Sequence, residues 1–335
     1  MEQNPAVNLL YAELSRMVAI PSISPKGFSF IKKKSGSRDY WHLQLAIGAK
    51  RYHQYIGPDI EENRNQIEAL QSRWKEDEAT LEERKKLVAM LRAAKAPMVD
   101  INVGRIIEVL EQTNVFRLGA VLVGSHAFAA FQNVLGVIWP PAATMTQDID
   151  LAKDKIDVGI NCRLDDTLNQ LGFIPKPCFF TGKASPTFTL RNATISIDVL
   201  TPKTGNREDD VFIKNLNTHA QPVRFLDYLI ESPMQAVMLY GAGILVNLPN
   251  PARFAIHKLV VMERRKTSEA IKKRKDLDQA HYLIDFLLKH QEGDLINALE
   301  AARSMGPRFR AQLEKGIGKS KHKEPLLGIY HSLGT

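Results

Sequence analysis

Hydrophobic and polar positions follow two different periods in the first third of the chain. A helical period runs through VNLLYAELSRMVAI, and short alternating runs separated by SGSRD and GAK follow at about Phe28–Ile56. Because alternation broken by Gly and Ser is typical of β-hairpins, we predict a helix and then a three-stranded antiparallel ribbon. The stretch Asp59–Ala96 has many opposite charges at helical spacing and no internal Gly or Pro, which predicts a long exposed helix or helical hairpin.

Short apolar runs indicate that the middle third mixes strands and helices. A helix predicted at about Val99–Thr113 is followed by LGAVLV, a predicted buried strand, and by an amphipathic helix that Gly136 closes. TQDIDLA predicts a further strand, and PTFTLRNATISIDVLTP predicts a hairpin. Beyond Pro202 we predict helices, one of them capped by Asn250 ahead of Pro251.

These shifts of pattern predict an α+β protein, with a mixed sheet core and helices, a C-terminal helical domain and a small N-terminal antiparallel β-ribbon. A chain of 335 residues is long for one domain, so two or three units are expected. The predicted segments are the N-terminal helix and ribbon at 1–57, a charged helical connector at 58–96, the core at 97–210 and the helical domain at 211–335. We interpret the connector as a spacer or as an element that forms a homodimer.

Composition narrows the expected surroundings and partners of the chain. The formal net charge of +8 favours a phosphate-rich partner, although many basic proteins bind no nucleic acid. Two cysteines, Cys162 and Cys178, are too few for a disulfide framework and are expected to be reduced thiols. No apolar run is long enough to span a bilayer, so we predict a cytoplasmic protein without a membrane partner.

Two aspartates stand one residue apart in the predicted strand TQDIDLA. Side chains at i and i+2 of a strand point to the same face, so Asp148 and Asp150 repel each other unless a cation lies between them. Hard divalent cations such as Mg²⁺ or Mn²⁺ choose oxygen ligands of this kind. Asp198, in the predicted strand SIDVL, is the candidate third ligand. A solvated edge strand is the alternative, and the apolar flanks Ile149 and Leu151 make it the weaker one.

A Gly-Ser turn precedes these aspartates at the start of a predicted helix. Gly124 lets the backbone approach a ligand closely, Ser125 offers N–H and hydroxyl donors, and the free N–H groups of a helix start favour phosphate. Together with the three aspartates, this pattern suits transfer of a nucleotidyl group from an NTP. His126 follows the turn and either touches phosphate or packs against the helix, packing being the commoner role.

The motifs VLVGSHAF, TQDIDLA and SIDVL together resemble the signature of the nucleotidyltransferase fold of the DNA polymerase beta superfamily. With KKRKDLDQA added, the chain resembles in particular a bacterial group of nucleotidyltransferase-like proteins akin to the abortive-infection toxins of toxin–antitoxin systems, over about Val99–Leu288. The resemblance implies a Mg²⁺-dependent enzyme that moves an NMP from an NTP to an acceptor hydroxyl on an RNA or tRNA end or on a protein. It also implies a toxin or defence effector with an antitoxin as partner.

The resemblance assigns roles to individual residues of these motifs. Gly124 and Ser125 are implied to bind the triphosphate, and Asp148 and Asp150 are implied to bind both metal ions. Asp198 is implied to help position the metal and to act on the incoming nucleophile. The gap from Ser125 to Asp148 is longer than in the compact motif of the superfamily.

Two helical positions after the core complete the implied nucleotide site. Lys258, in IHKL, matches a lysine that serves the site in the toxin relatives, and Lys275 with Asp276 matches a Lys-Asp pair. Lys275 is implied to neutralise triphosphate charge, and Asp276 is implied to orient it. Relatives often carry a second acid three residues after the pair, where this chain has Gln279 with Asp278 shifted by one. The role of that second acid is therefore open.

Basic residues are densest beside this Lys-Asp pair. The cluster consists of Arg264, Arg265, Lys266, Lys272, Lys273, Arg274 and Lys275. Such a run is usually a solvated helix face. Because this one lies beside the implied site, a track that binds the triphosphate or an RNA acceptor is an equal alternative. Basic and aromatic residues also interleave in the N-terminal ribbon, where packing of the aromatic side chains is favoured over contact with nucleic acid.

Two other functions are compatible with the sequence. One is a nucleotide-sensing or nucleic-acid-binding module that uses the same fold without turnover, although a pure binder has no need of three carboxylates that repel one another. The other is a small-molecule, aminoglycoside-like adenylyltransferase, which keeps the chemistry and changes the acceptor.

Overall fold

The computed structural model describes residues 1–19, 28–47, 50–144, 146–154, 162–177, 184–190, 194–205 and 209–333. A mixed sheet and the helices packed around it make up most of the structure, and a small antiparallel sheet lies near the N-terminus. The α+β class predicted from the sequence is therefore confirmed. Cys162 is buried, whereas Cys178 lies outside the described residues. Among the described residues, no helix combines the length and the apolar content needed to cross a bilayer.

The N-terminal part joins a helix, a ribbon and a long second helix. Its elements are α1 (Pro5–Ala19), β1 (Phe28–Ser35), β2 (Arg38–Ile47), β3 (Lys50–Pro58) and α2 (Glu61–Ala93). The strands pair antiparallel in the order β1-β2-β3, as the alternating pattern predicts. α2 is one continuous helix of 33 residues and not a hairpin. A small apolar core that includes Leu14, Val88 and Leu91 joins its C-terminal end to α1.

The central sheet begins in the middle of the chain. Its first strands and the helices between them are α3 (Ile101–Gln112), β4 (Val121–Val123), α4 (Gly124–Leu135), α5 (Pro141–Thr144), β5 (Asp148–Ala152), α6 (Leu164–Gln170), β6 (Phe173–Pro177), β7 (Ala184–Leu190) and β8 (Ser196–Pro202). β4 pairs antiparallel with β5, β5 pairs parallel with β8, and β7 pairs antiparallel with β8. All three residues of β4 are buried, which explains the unbroken apolar run in the sequence.

The prediction that the chain becomes helical directly after Pro202 is wrong. Among the described residues, four strands and a short helix come first: β9 (Val211–Ile213), β10 (Thr218–Val223), α7 (Leu226–Ile230), β11 (Met234–Met238) and β12 (Ile244–Leu248). β10 extends the sheet parallel to β8, and β11 and β12 form a hairpin whose turn contains Gly241 and Gly243, both at positive φ. Such short apolar runs cannot be told from a buried helix segment by periodicity.

The C-terminal part of the chain is helical. Its helices are α8 (Pro251–Arg264), α9 (Ala270–His290), α10 (Glu292–Ser304), α11 (Pro307–Gly318) and α12 (Lys323–Ser332). Asn250 accepts hydrogen bonds from the N–H groups of Ala252 and Arg253, so the predicted cap ahead of Pro251 is confirmed. One continuous apolar core runs from α3 through the sheet to α12, and the C-terminal helices are therefore packed against the sheet.

Candidate active site

Two neighbouring parallel strands place the three aspartates near their N-terminal ends. In the β5–β8 register, Asp150 lies opposite Asp198, and Asp148 lies opposite Ser196. Ile149 is fully buried, so the alternation of the strand turns Asp148 and Asp150 away from the core on that side. The structure therefore brings together the three carboxylates that the sequence predicts.

Hydroxyl groups orient two of these carboxylates. Ser196 Oγ donates to Asp148 Oδ1 at 2.8 Å, and Thr187 Oγ1, on β7, donates to Asp198 Oδ1 at 2.5 Å. Hydrogen bonds to an ionised acceptor are short and strong, so they fix the direction of each carboxylate. Sequence reasoning misses both donors, because they reach the aspartates through strand pairing and not through motif spacing.

The carboxyl group of Asp150 lies in an environment that disfavours its charge. Burial and then the charge of Asp198 raise the pKa of Asp150 from 3.8 to about 7, and Asp148 adds to the rise. The charges of Lys258 and Lys272 act in the opposite direction. A divalent cation relieves this kind of repulsion between neighbouring carboxylates.

The donor set fits a hard divalent cation. Asp148, Asp150 and Asp198 offer carboxylate oxygens, which Mg²⁺ and Mn²⁺ prefer over sulfur donors. Among the described residues, no group of three acidic, His or Cys side chains is arranged as a ready-made metal cage. We therefore expect the carboxylates to rotate slightly when an ion binds, while Ser196 and Thr187 each hold one carboxylate oxygen in place.

Gly124 follows β4 directly against the carboxylate of Asp150. Val123, the last residue of β4, pairs with Asp150, and Gly124 begins α4 at a φ of +68°, where glycine is favoured. A Cβ at this position would lie 2.0 Å from Asp150 Oδ2. The structure thus gives Gly124 a role beside the predicted phosphate contact, because its missing side chain makes room for Asp150.

Gly124→Ala is therefore expected to lower the free energy of unfolding by about 1–3 kcal/mol, because it adds overlap with Asp150 to the strain of a left-handed backbone. The matched control is Gly36→Ala, since Gly36 has a φ of +62° and no atom within 4 Å of an added Cβ. Urea denaturation of both variants separates strain from overlap. Equal losses in the two variants would mean that the overlap with Asp150 contributes nothing.

The first turn of α4 follows this glycine. Val123 is the N-cap residue, and no side chain caps the first N–H groups of the helix. Ser125, the second residue of the helix, is half-buried. His126 is buried, and its Nε2 has no hydrogen-bond partner among the described atoms. Burial and then the charge of Lys275 lower the pKa of His126 to about 4, so its imidazole is neutral near pH 7.

Lysines from two C-terminal helices approach the aspartates. Lys258 lies on α8, and Lys272 and Lys275 lie on α9. Burial and then the charge of Lys258 lower the pKa of Lys275, while three aspartates, among them Asp148 and Asp150, oppose this effect. The lysines and the carboxylates therefore act on one another's pKa values through their charges.

Asp276 is held inside the protein by two cations. Lys258 Nζ donates to Asp276 Oδ1 at 2.6 Å, and Arg265 Nε donates to Asp276 Oδ2 at 2.7 Å. The Asp276 side chain is only 4% exposed, so both oxygens face cations of the protein and not a ligand. Asp276 is therefore a residue that positions Lys258 and Arg265.

The five residues predicted to contact nucleic acid differ in their surroundings. Arg265 forms an ion pair with Asp276, as described above. Arg264 stacks on an aromatic ring whose centre is 5.2 Å away, and Lys273 Nζ lies 3.7 Å from a carboxylate oxygen. Lys272 and Arg274 are exposed on α9. Arg264 is exposed as well, so three of the five residues face solvent, while Arg265 and Lys273 lie next to carboxylates of the protein.

In a comparison with known protein families, residues 102–304 match a family model described as Nucleotidyltransferase. This region covers more than half of the chain and contains every site residue described above. A search of the curated proteins finds no match. Among solved structures, the chain is similar to the crystal structure of an antigenic nucleotidyltransferase-like protein from Paracoccidioides brasiliensis. The TM-score is 0.32 and the sequence identity 15%, over 65% of this chain and 95% of that chain.

Proposed function

The chain belongs to the nucleotidyltransferase family, and from this premise we propose that it moves an NMP from an NTP to an acceptor hydroxyl with the help of a divalent metal ion. The observation that carries the proposal is the β5–β8 pairing, which sets Asp150 opposite Asp198 beside the Gly124 turn. A pure nucleotide sensor needs no such pair, because carboxylates that repel each other destabilise the fold.

The reaction exchanges one phosphorus–oxygen bond for another. The oxygen of the acceptor hydroxyl bonds to the α-phosphorus, the bond from that phosphorus to the bridging oxygen breaks, and pyrophosphate leaves. Asp198, whose Oδ1 is fixed by Thr187, takes the hydroxyl proton on its other oxygen. Asp148, Asp150 and Asp198 would hold a Mg²⁺ or Mn²⁺ ion, which would supply positive charge for the reacting phosphate.

Backbone N–H groups and lysines receive the phosphates in this proposal. The start of α4 at Gly124 and Ser125 offers N–H groups and the positive end of the helix dipole. Lys258 and Lys275 add positive charge, and the hydrogen bond from Lys258 to Asp276 holds the first of them in place. Cations that are oriented in advance stabilise the charge that develops on the departing pyrophosphate.

For the acceptor we propose an RNA end, such as the end of a tRNA. The support is the resemblance of the motifs to abortive-infection toxins, together with the exposed cations Lys272 and Arg274 on α9. In this proposal the protein is a defence effector that an antitoxin restrains. A protein or an aminoglycoside-like acceptor would keep the same chemistry and yield a different labelled product.

Labelled nucleotides test the proposal directly. Each α-³²P-labelled NTP, incubated with the protein, Mg²⁺ or Mn²⁺ and total RNA, is expected to leave label on an RNA band, because the α-phosphate is the group transferred. Asp148→Ala/Asp150→Ala should abolish the label. The matched control Glu76→Ala/Glu78→Ala, which removes two exposed acids at the same spacing on α2, should retain it.

Two results would contradict parts of the proposal. Label on the protein itself, and on no RNA, would replace the RNA acceptor by a protein acceptor. If no NTP yields label although NTP binds, the nucleotide sensor becomes the better description.

A further inference from the structure

A cleft of about 770 Å³ opens beside Asp148. One wall is the start of α3 with the residues before it, and the other is a face of α4. Thr144, the residues at 146–148 around the start of β5, and the residues at 194–195 before β8 contribute to the lining. The cleft therefore adjoins the candidate active site on the side of Asp148 and α4, and Asp198 is not among its lining residues.

The charge of the cleft differs from that of the lysine side of the site. Within the described residues, its lining contains no lysine or arginine, and Asp100 and Asp148 contribute carboxylates. Phosphate groups are therefore disfavoured in the cleft. Lys258 on α8 donates a hydrogen bond to Asp276 on α9, and Lys275 directly precedes Asp276, so both lysines lie where α8 and α9 meet and phosphates are favoured there.

Two buried side chains on the α4 wall each have one polar atom without a hydrogen-bond partner among the described atoms. His126 and Asn133 are each 6% exposed and line the cleft, and they are seven residues apart, which places them on the same face of the helix. Asn133 Nδ2 donates to the carbonyl of Pro97 at 2.7 Å, which fixes the amide, while Asn133 Oδ1 and His126 Nε2 have no partner among the described atoms. Buried polar atoms are rarely left unsatisfied, so a ligand is expected to complete them.

The surface between these two groups is small and apolar. Ala129 and Ala130 lie between His126 and Asn133 on α4, and Val103 and Met238 also line the cleft. Polar residues also line the cleft, among them Asn102, Gln147 and Thr194. A flat ring with polar atoms on its edge matches such a mixed lining, in which two buried polar groups flank an apolar patch.

We propose that the cleft binds the base of the NTP, with polar atoms at opposite ends of the base hydrogen-bonded to Asn133 Oδ1 and His126 Nε2. This inference rests on the proposed function, which places the phosphates at the lysines and the acceptor at Asp198. The base and the phosphates then extend to opposite sides of Asp148, where the α-phosphate lies. The cleft is assigned to the nucleotide and not to the acceptor because it borders Asp148 and not Asp198.

Inorganic tripolyphosphate carries the phosphates without the base. Comparing its affinity with that of an NTP therefore measures the contribution of the base. With Mg²⁺ present, calorimetry on the wild type should show that at least one NTP binds about tenfold more tightly than tripolyphosphate, because its base adds two hydrogen bonds. Ala129→Phe, which fills the cleft from a half-buried position, should reduce that NTP to the affinity of tripolyphosphate and leave tripolyphosphate unchanged. His126→Leu is a second variant of similar size and should weaken the same NTP alone. Ala79→Phe, at an exposed position of α2, is the matched control.

Other outcomes overturn the inference in distinguishable ways. If the wild type binds every NTP no better than tripolyphosphate, the base has no site, although the proposed function stands. If Ala129→Phe keeps its NTP affinity and loses transfer, the cleft serves the acceptor. If the wild type binds neither NTP nor tripolyphosphate, the proposed function fails together with the inference.

Discussion

Asp276→Ala is expected to lower the free energy of unfolding by about 3–5 kcal/mol. The carboxylate accepts from Lys258 Nζ at 2.6 Å and from Arg265 Nε at 2.7 Å, and its side chain is 4% exposed. Its removal leaves the largely buried Lys258 without this carboxylate, where the protein interior screens charge poorly, and leaves Arg265 with Glu269. Urea denaturation at pH 7.5 measures the loss.

The loss should shrink as the pH falls. Burial raises the pKa of Asp276, but Lys258 and Arg265 outweigh burial and hold it below the ordinary value of 3.8. A carboxyl group with a lowered pKa stabilises the fold above its unfolded pKa, and this stabilisation disappears as the pH falls through the folded pKa. The wild type should therefore approach the variant in stability below about pH 4.

An exposed ion pair provides the control for this prediction. Glu82 and Lys85 lie 2.6 Å apart on α2, with side chains 57% and 49% exposed. Glu82→Ala should leave the free energy of unfolding nearly unchanged, because solvent screens an exposed ion pair. An Asp276 variant that loses no more than this control would show that burial of the pair contributes little to the fold.

The fold follows from the sequence wherever a pattern repeats over enough residues. The ribbon at 28–58 and the 33 residues of α2 sample their periods many times, so alternation and charge spacing predict them correctly. The strands between 211 and 248 have three to six residues each. Their apolar runs are compatible with a buried helix as well as with a strand, and the pairing of β10 with β8 that decides between them is a long-range contact.

The candidate site divides in the same way between local and long-range information. Strand alternation is a local rule, so spacing alone finds Asp148, Asp150 and Asp198. Lys258 on α8 and Asp276 on α9 are 18 positions apart along the chain, and no spacing rule shows that the pair is buried. The sequence assigns both residues to the nucleotide site, and only the structure shows that they bond to each other.

Asp150→Asn is expected to lower nucleotidyl transfer by about 10²–10³-fold, because the amide keeps the shape of the side chain and removes the negative charge beside Asp198. Asp198→Asn should lose transfer to a similar degree and keep most of the NTP affinity, since the proposed function places Asp198 on the acceptor side. Initial rates and NTP Kd values, both measured with Mg²⁺, distinguish the two roles. Equal loss of NTP affinity in both variants would contradict the assignment of Asp198 to the acceptor.

The same Asp150→Asn substitution is expected to raise stability when metal is removed with EDTA. Burial and Asp198 raise the pKa of Asp150 from 3.8 to about 7, so the carboxyl group ionises more easily in the unfolded chain than in the fold. Its charge therefore destabilises the wild type increasingly as the pH rises from 3.8 to about 7. Thermal unfolding should show a higher Tm for the variant at pH 8 and little difference at pH 4, and Asp166→Asn, at a side chain 47% exposed, should show neither effect. A gain in stability with a loss of transfer would mean that Asp150 serves the chemistry at the expense of the fold, whereas a loss of both would make it a structural residue.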